Sequence, residues 1–437
     1  MDRRRLIKQS GAVAAGAAIA THLPNVTVAA AAQDAATLQF WDTLNAEPRL
    51  TMIEELGTTF GEANGVTVEH RGWTLEELQD TLPRSVDSNQ GPAVAQVNNG
   101  ENLAGPMIRG GQLVDLTPYI AEYQWDTLLP PSLAARCSFS ADGTVFGEGQ
   151  LWGIPSESEI VGFYYNKTVF ADNGLTIPTT FAELETLLQA LVDAGITPIV
   201  FGNSERWPAI HLFGEIHGTL ATAEYLDGIV YRREGATFDD PTMVEAATKL
   251  VEWKDNGFLI DGFEGLTADD AAALFQTGEG ALMLQGSWQA PAVKTDLAEN
   301  AGFFLMPPVE AGGKVLNVGG VAIPYSITTN AADPDLAAAF INNLVSQEAF
   351  DAWIEAGGLP AGVITPDKIV ADTVDGDLYT AWNTALESDS LGHYLDWAAP
   401  GFYDELTGQL QNLLGGQMQP AEFATALQTF YASTFTV

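Results

Sequence analysis

Four tryptophans stand beside amides, hydroxyls and carboxylates rather than inside apolar runs. Trp41 opens the run Trp41-Asp42-Thr43-Leu44-Asn45, and Trp207 lies between Asn203-Ser204-Glu205 and His211. Trp288 closes Leu284-Gln285-Gly286-Ser287-Trp288, and Trp397 lies in Leu395-Asp396-Trp397-Ala398-Ala399-Pro400-Gly401. A flat ring covers the C–H face of a sugar, while planar Asn, Gln, Asp and Glu groups take its paired hydroxyls. The same parts suit an organic cation held by a ring face and a carboxylate. Residue types alone leave both open. Trp125, Trp253, Trp353 and Trp382 fall in helical patterns instead and are expected in the core.

Reaction chemistry has few candidates. There is no phosphate-binding Walker loop, no HExxH, no GxSxG and no dinucleotide GxGxxG. His211 and Glu215 would share a helix face near His217, but a metal there would need further ligands. Glu157-Ser158-Glu159 puts two carboxylates on one face of a strand, a spacing that suits hydrogen bonding better than an acid and a nucleophile flanking one glycosidic bond. The expectation is a binder without catalytic residues, metal or cofactor.

Strands and helices alternate around these residues. Thr37 to Trp41 alternates as a strand, Leu50, Ile53, Gly57 and Phe60 repeat at helical spacing, and Asn64-Gly65 ends that helix before Val66-Thr67-Val68. A helix over about Leu75–Asp87, interrupted by Pro83, leads to the strand Ala93–Val97. Gly162–Asn166, Ile199–Phe201 and Ala281–Leu284 read as further strands, with a Thr180/Glu183 capping box opening the helix between the first two. Such alternation predicts an α/β fold with mainly parallel sheets, helices on both faces and ligands bound beyond the strand ends. Trp41, Asn98, Asn99, Gln285, Ser287 and Trp288 occupy those ends. Gly/Pro punctuation at Gly153-Ile154-Pro155, Met306-Pro307-Pro308 and Gly357-Gly358-Leu359-Pro360 suggests two lobes exchanging segments three times.

The first 32 residues read as an export address: basic Arg3, Arg4, Arg5 and Lys8, an apolar stretch from Gly11 to Ala20, then Ala30-Ala31-Ala32 before Gln33. Arg3-Arg4, a free position, Leu6-Ile7 and Lys8 resemble a twin-arginine signal. No cysteine follows the apolar run, so a soluble periplasmic or extracellular protein without a lipid anchor is expected. The 437 residues are 46% hydrophobic and carry 18 basic against 57 acidic side chains, a formal charge of −39. That field repels nucleic acid and anionic lipid. One cysteine excludes a disulfide framework within the chain.

The order of several short motifs resembles the extracellular solute-binding protein family 1, the sugar-binding components of ABC importers related to maltose-binding protein. They are Phe40-Trp41 with Glu47-Pro48-Arg49, Gln96-Val97-Asn98-Asn99-Gly100-Glu101, Leu151-Trp152-Gly153-Ile154-Pro155, Gly162-Phe163-Tyr164-Tyr165-Asn166-Lys167, Trp207-Pro208-Ala209 with His211, Leu284–Trp288, Gly319-Gly320 and Gly357–Pro360. Many members have Asp where Asn98 or Asn99 stands. The resemblance implies a two-lobed, type II-like periplasmic-binding-protein fold. It implies an N-terminal lobe of 33–155 and 312–358, a C-terminal lobe of 156–311 and 359–437, and crossings near Pro155–Glu159, Pro308–Gly313 and Gly357–Pro360. By the same resemblance the cleft is lined by Trp41, Asn45, Asn99, Glu101, Glu157, Trp207, His211, Gln285, Trp288 and Trp397. Gly319 and Gly320 would let backbone approach a sugar, while Tyr164 and Asn166 pack and cap. The implied function is capture of a mono- or oligosaccharide by a monomer and delivery to an ABC permease. A cationic solute such as a polyamine is the alternative, and a secreted enzyme or carbohydrate-binding module the third class.

Overall fold

The computed structural model describes residues 36–434; the export address of residues 1–32 lies outside the described residues. Two larger sheets organise the chain. The first has the order β11-β3-β1-β2, with β1 Thr37–Asp42, β2 Thr67–Gly72, β3 Val94–Gln96 and β11 Tyr325–Ile327. β2 and β3 flank β1 in parallel, and only β11 runs against its neighbour. The second has the order β12-β10-β6-β8-β7, built from β6 Ser158–Asn166, β7 Ile199–Val200, β8 Leu282–Gly286, β10 Asn317–Val321 and β12 Leu391–Gly392, with β9 Ala301–Phe304 also pairing β6. A short hairpin, β4 Ser138–Phe139 and β5 Gln150–Leu151, stands apart from both.

The helices form where spacing and caps allow. Arg49–Asn64 buries Met52, Ile53, Leu56, Gly57, Phe60 and Gly61 and stops where Gly65 takes the left-handed conformation. Leu75–Asp87 starts at a full capping box of Thr74 and Glu77. It runs unbroken through Pro83, contrary to the expected interruption, and the Pro83 carbonyl accepts from the Gln112 side-chain amide. In Phe181–Asp193 the Thr180 hydroxyl accepts from the Glu183 N–H, but the Glu183 carboxylate bonds Thr179 instead of completing the box. Trp125, Trp253, Trp353 and Trp382 are all buried. Tyr164 is buried with its hydroxyl on the Gly286 carbonyl, and Asn166 caps the helix that follows β6.

The first sheet matches the parallel expectation; the second does not. The β6 ladders to β8, β9 and β10 are antiparallel, while β7–β8 and β10–β12 are parallel. The reason lies at the crossing. The chain leaves the first sheet through Ile154–Glu157 into β6 and returns through β10, Ala322 and Pro324 into β11. The two passes run side by side, with Ile154 opposite Tyr325, Ala322 N–H on Glu157 O at 3.1 Å and Gly320 opposite Glu159. A third pass joins them through Ser158 N–H on Leu359 O at 2.7 Å and Ala361 N–H on Ser156 O at 3.1 Å. Opposite directions of travel make β6 and β10 antiparallel. The return crossing therefore falls at Ala322–Pro324 rather than Pro308–Gly313, and Asn317–Val321, expected in the first lobe, belongs to the second sheet.

Asp42 ties three strands of the first sheet. Fully buried at the end of β1, it accepts from Leu44 N–H and from the Tyr325 hydroxyl of β11 and pairs with His70 Nε2 of β2 at 2.7 Å. Burial works against the charged imidazole, but the hydrogen bond and charge of Asp42, helped by Glu54, outweigh it and hold the His70 pKa above 6.5. A raised folded-state pKa contributes stability that is fully present below the unfolded value and is lost as pH rises through the folded one. The melting temperature of the wild type minus that of His70→Gln is therefore expected to be largest near pH 6 and to shrink by about pH 9. A difference that stays constant over that range in a thermal melt series would contradict the charged pair.

Candidate functional site

Residues that end strands of the second sheet gather into one aromatic cluster, and residues of the first sheet form another. On the second-sheet side, the chain leaves β7 and turns at Asn203, whose Oδ1 accepts the Ala209 N–H and so fixes the start of the helix Trp207–Gly218. Trp207 and His211, one turn apart, have ring centroids 4.9 Å apart. β8 ends at Gly286, and the turn after it lays Trp288 back over that glycine, where a Cβ would sit 2.0 Å from the indole. Trp288 meets Trp207 at 6.1 Å and His211 at 5.6 Å. His211 then meets Tyr394 at 5.2 Å, and Tyr394 meets Trp397 at 5.1 Å. Trp207 and Trp288 keep part of their surface open, whereas His211, Tyr394 and Trp397 are buried.

The first sheet carries a separate aromatic group. Trp41 packs on Trp73 at 5.1 Å, Arg71 covers the Trp73 ring at 3.6 Å, and the exposed Asn45 reaches the Trp73 carbonyl with its amide at 2.8 Å. After β3, Asn99 is buried with its Nδ2 lacking a partner. A buried amide donor left open costs on the order of 1–3 kcal/mol unless something fills it.

Carboxylates complete the arrangement. Glu157, within the crossing, is buried and meets Arg49 at 3.3 Å. Burial raises its pKa, and Arg49 pulls against that. Two residues on, burial pushes the Glu159 carboxyl up to about 8 against the pull of the neighbouring Tyr394 hydroxyl. Burial likewise pushes Asp396 up to about 7 and His211 down to about 3, so that imidazole is neutral. With pKa values of about 8 and about 7, Glu159 and Asp396 are not fixed as charged carboxylates near neutral pH. Among the described residues no three His, Cys, Asp or Glu side chains are grouped to hold a metal ion.

Several expected roles change. The Glu101 carboxylate is engaged by Arg109 at 2.7 and 3.2 Å, inside the protein. Gln285 is buried and folds its Oε1 onto the Gly286 N–H. Gly319 and Gly320 have φ of 157° and 136°, but what crowds them is protein: a Cβ on Gly319 would sit 2.5 Å from Glu159 O and one on Gly320 2.3 Å from Arg136 Nη1. Arg136 is buried with its guanidinium on the carbonyls of Gly319, Leu391 and Gly392. These glycines make room for strand pairing and for Arg136. Sequence reasoning passed over Trp73, Tyr394, Asp396 and the placement of Glu159. The Trp-Thr-Leu-Glu and Tyr-Leu-Asp-Trp runs around the first three were the available signal.

Glu215, one turn below His211, is fully buried and takes the Val318 N–H at 2.7 Å. Burial raises its pKa well above the carboxylate range, with the Val318 hydrogen bond opposing. Glu215→Gln keeps the acceptor and is expected to cost under about 1 kcal/mol, whereas Glu215→Ala strands the Val318 N–H and is expected to cost about 1–3 kcal/mol. Urea melts of the two variants measure this, and equal losses would show that the hydrogen bond is not what Glu215 supplies.

With this geometry in place, comparison with known proteins is informative. The family model described as "Bacterial extracellular solute-binding protein" matches residues 45–349. The "Multiple sugar-binding protein" of Streptococcus mutans is 23% identical over 223 residues, 49% of this chain and 52% of that protein, so the chain spans about half the length of that relative. The "Probable sugar-binding periplasmic protein" of Rhizobium meliloti is 22% identical over 94% of this chain and 97% of its own length. A solved structure from work on xylan utilization by Caldanaerobius polysaccharolyticus superposes with a TM-score of 0.78 at 22% identity, covering 90% of this chain and 99% of that one. That likeness establishes the two-lobed α/β fold.

Proposed function

The chain belongs to the bacterial extracellular solute-binding protein family, and we propose that it captures a mono- or oligosaccharide between its two sheets and hands it to the permease of an ABC importer. The observation that carries this is the pairing of half-open rings, Trp207 and Trp288, with enclosed hydrogen-bonding groups that have open valences, Asn99 above all. A sugar offers apolar C–H faces to the rings and hydroxyls to the amides and carboxyls. The sugar names of relatives and structural neighbours, among them "Chitin oligosaccharide binding protein" and "SBP RafE in complex with raffinose", support the same reading and give none to a polyamine.

Closure is the proposed mechanism. The lobes follow the sheets, 36–155 with about 323–358 and 156–322 with 359–434, and bend at the three hydrogen-bonded passes between them. Trp41, Asn45 and Asn99 would meet the sugar from the first lobe. Glu157, Glu159, Trp207, His211 and Trp288 would meet it from the crossing and the second lobe. Contacts made with both lobes only when they are together shift the population toward the closed form. No bond of the sugar is made or broken, and ATP is hydrolysed by other subunits. The signal over residues 1–32 would send the folded protein out through the twin-arginine route, without a lipid anchor and as a monomer. No described helix is long and apolar enough to cross a membrane.

The test is a thermal-shift panel of about fifty sugars, polyamines and amino acids on the chain from Gln33. A compound that binds the native protein stabilises it by roughly 2.7 kcal/mol at a hundredfold excess over its dissociation constant. A saccharide hit recovered unaltered is expected, with Trp288→Ala weakening it at least about tenfold. Hits confined to polyamines, or hydrolysis of the sugar, would overturn the proposal.

A further inference from the structure

The part of Trp397 in the site differs from a sugar platform. It is only 2% exposed, so neither ring face is free to stack on a sugar. Its carbonyl accepts the Glu101 N–H at 2.9 Å. Gly100, at φ 68°, lies under it: a Cβ there would stand 2.4 Å from Trp397 Cβ and 2.8 Å from its carbonyl oxygen. Next to this contact, Asn102 Nδ2 approaches Asp396 Oδ2 at 3.5 Å. The two partners belong to different sheets. Asn98–Asn102 follows β3 of the first, while Leu395–Ala398 follows β12 of the second and lies against the His211–Tyr394 rings.

We propose that Gly100, Glu101 and Trp397 form a latch that holds the lobes together without any sugar atom in it, and that Glu101, pinned by Arg109, is its positioning residue. Glu101 is 1% exposed, and both its carboxylate oxygens are taken by Arg109. The same guanidinium donates to Gly143 O at 2.7 Å, so the helix Ala104–Arg109 and the tip of the β4–β5 hairpin together fix where the Glu101 N–H points. A main-chain donor aimed in this way meets a main-chain acceptor on the other lobe, and glycine is the residue whose lack of a Cβ permits the approach. The latch therefore populates the closed arrangement before sugar arrives. In a bound complex it would slow release.

This inference rests on the proposed hinge motion but not on the identity of the sugar, so its test uses the ligand-free chain from Gln33. Hydrogen exchange of the segments 98–104 and 394–399 is measured together with the radius of gyration from small-angle scattering, for wild type, Gly100→Ala, Arg109→Met and Arg109→Lys. Gly100→Ala and Arg109→Met are expected to speed exchange in both segments by about tenfold or more, with an increased radius and unchanged circular dichroism. Arg109→Lys, which keeps a charge for Glu101, is expected to recover part of the effect. If Gly100→Ala does not fold, Asn102→Asp sets two carboxyls against each other across the same contact and is expected to act in the same direction. A lowered melting temperature with unchanged radius, or exchange that rises in one segment alone, would overturn the latch and leave a local packing contact. Sugar binding in the panel above stands or falls separately.

Discussion

Two passes of chain that cross between the sheets in opposite directions, hydrogen-bonded to each other, constrain most of what surrounds them. Ile154–Glu157 going out and Ala322–Pro324 coming back share backbone bonds, and Leu359–Ala361 adds a third pass on the other side. Backbone groups inside a protein must be paired, so segments that cross an interior together solve for one another what none could solve alone. The cost is directional. Once β6 and β10 leave the crossing side by side they must be antiparallel, and β8 and β9 inherit their direction from β6. Gly319 and Gly320 follow from the same constraint, because the strand pairing and the Arg136 guanidinium leave no volume for a Cβ.

The crossing also explains why the site is rich in carboxyls that are not simply solvated. Glu157 and Glu159 stand two residues apart on the outgoing pass, Glu157 on Arg49 and Glu159 beside Tyr394, and burial raises both. Burying an unpaired charge costs several kcal/mol, so each such group must find a cation, give up its charge or await a donor. Glu101 and Glu157 have arginines, burial drives the Glu215 carboxyl well above its ordinary range, and it lifts Glu159 to about 8 and Asp396 to about 7. Glu159 has the Tyr394 hydroxyl beside it, and Asp396 the Asn102 amide at 3.5 Å.

How far this was legible in the sequence depends on whether the controlling interaction is local. The strand at Thr37, the helix that Gly65 stops and the helical-face tryptophans of the core are set by neighbours a few residues away, and periodicity finds them. Trp207, His211 and Trp288 were grouped by the family resemblance rather than by periodicity, and their rings do meet. Contacts over hundreds of residues were not legible. Nothing near Glu101 announces that Trp397 will take its N–H, and nothing near Gly320 announces Arg136. Pro83 misled for a related reason: the helix keeps its packing face of Leu78, Leu82 and Val86, and that burial outweighs one missing hydrogen bond.

The proposed closure would work against the acidic surplus of the molecule. The surplus of 57 acidic over 18 basic side chains in the chain would make bringing the lobes together unfavourable at long range, a repulsion damped over about 8 Å in physiological salt. What would oppose it acts at contact distance: the Glu101–Trp397 backbone bond, the Arg49–Glu157 pair beside the crossing, the Arg136 guanidinium on the carbonyls of Gly319, Leu391 and Gly392, and the apolar packing around Trp397. Short-range attraction set against long-range repulsion favours two arrangements, open or closed, over a continuum between them. A ligand then needs to supply only the difference between those two states, which is how a few ring and hydroxyl contacts can move two whole lobes.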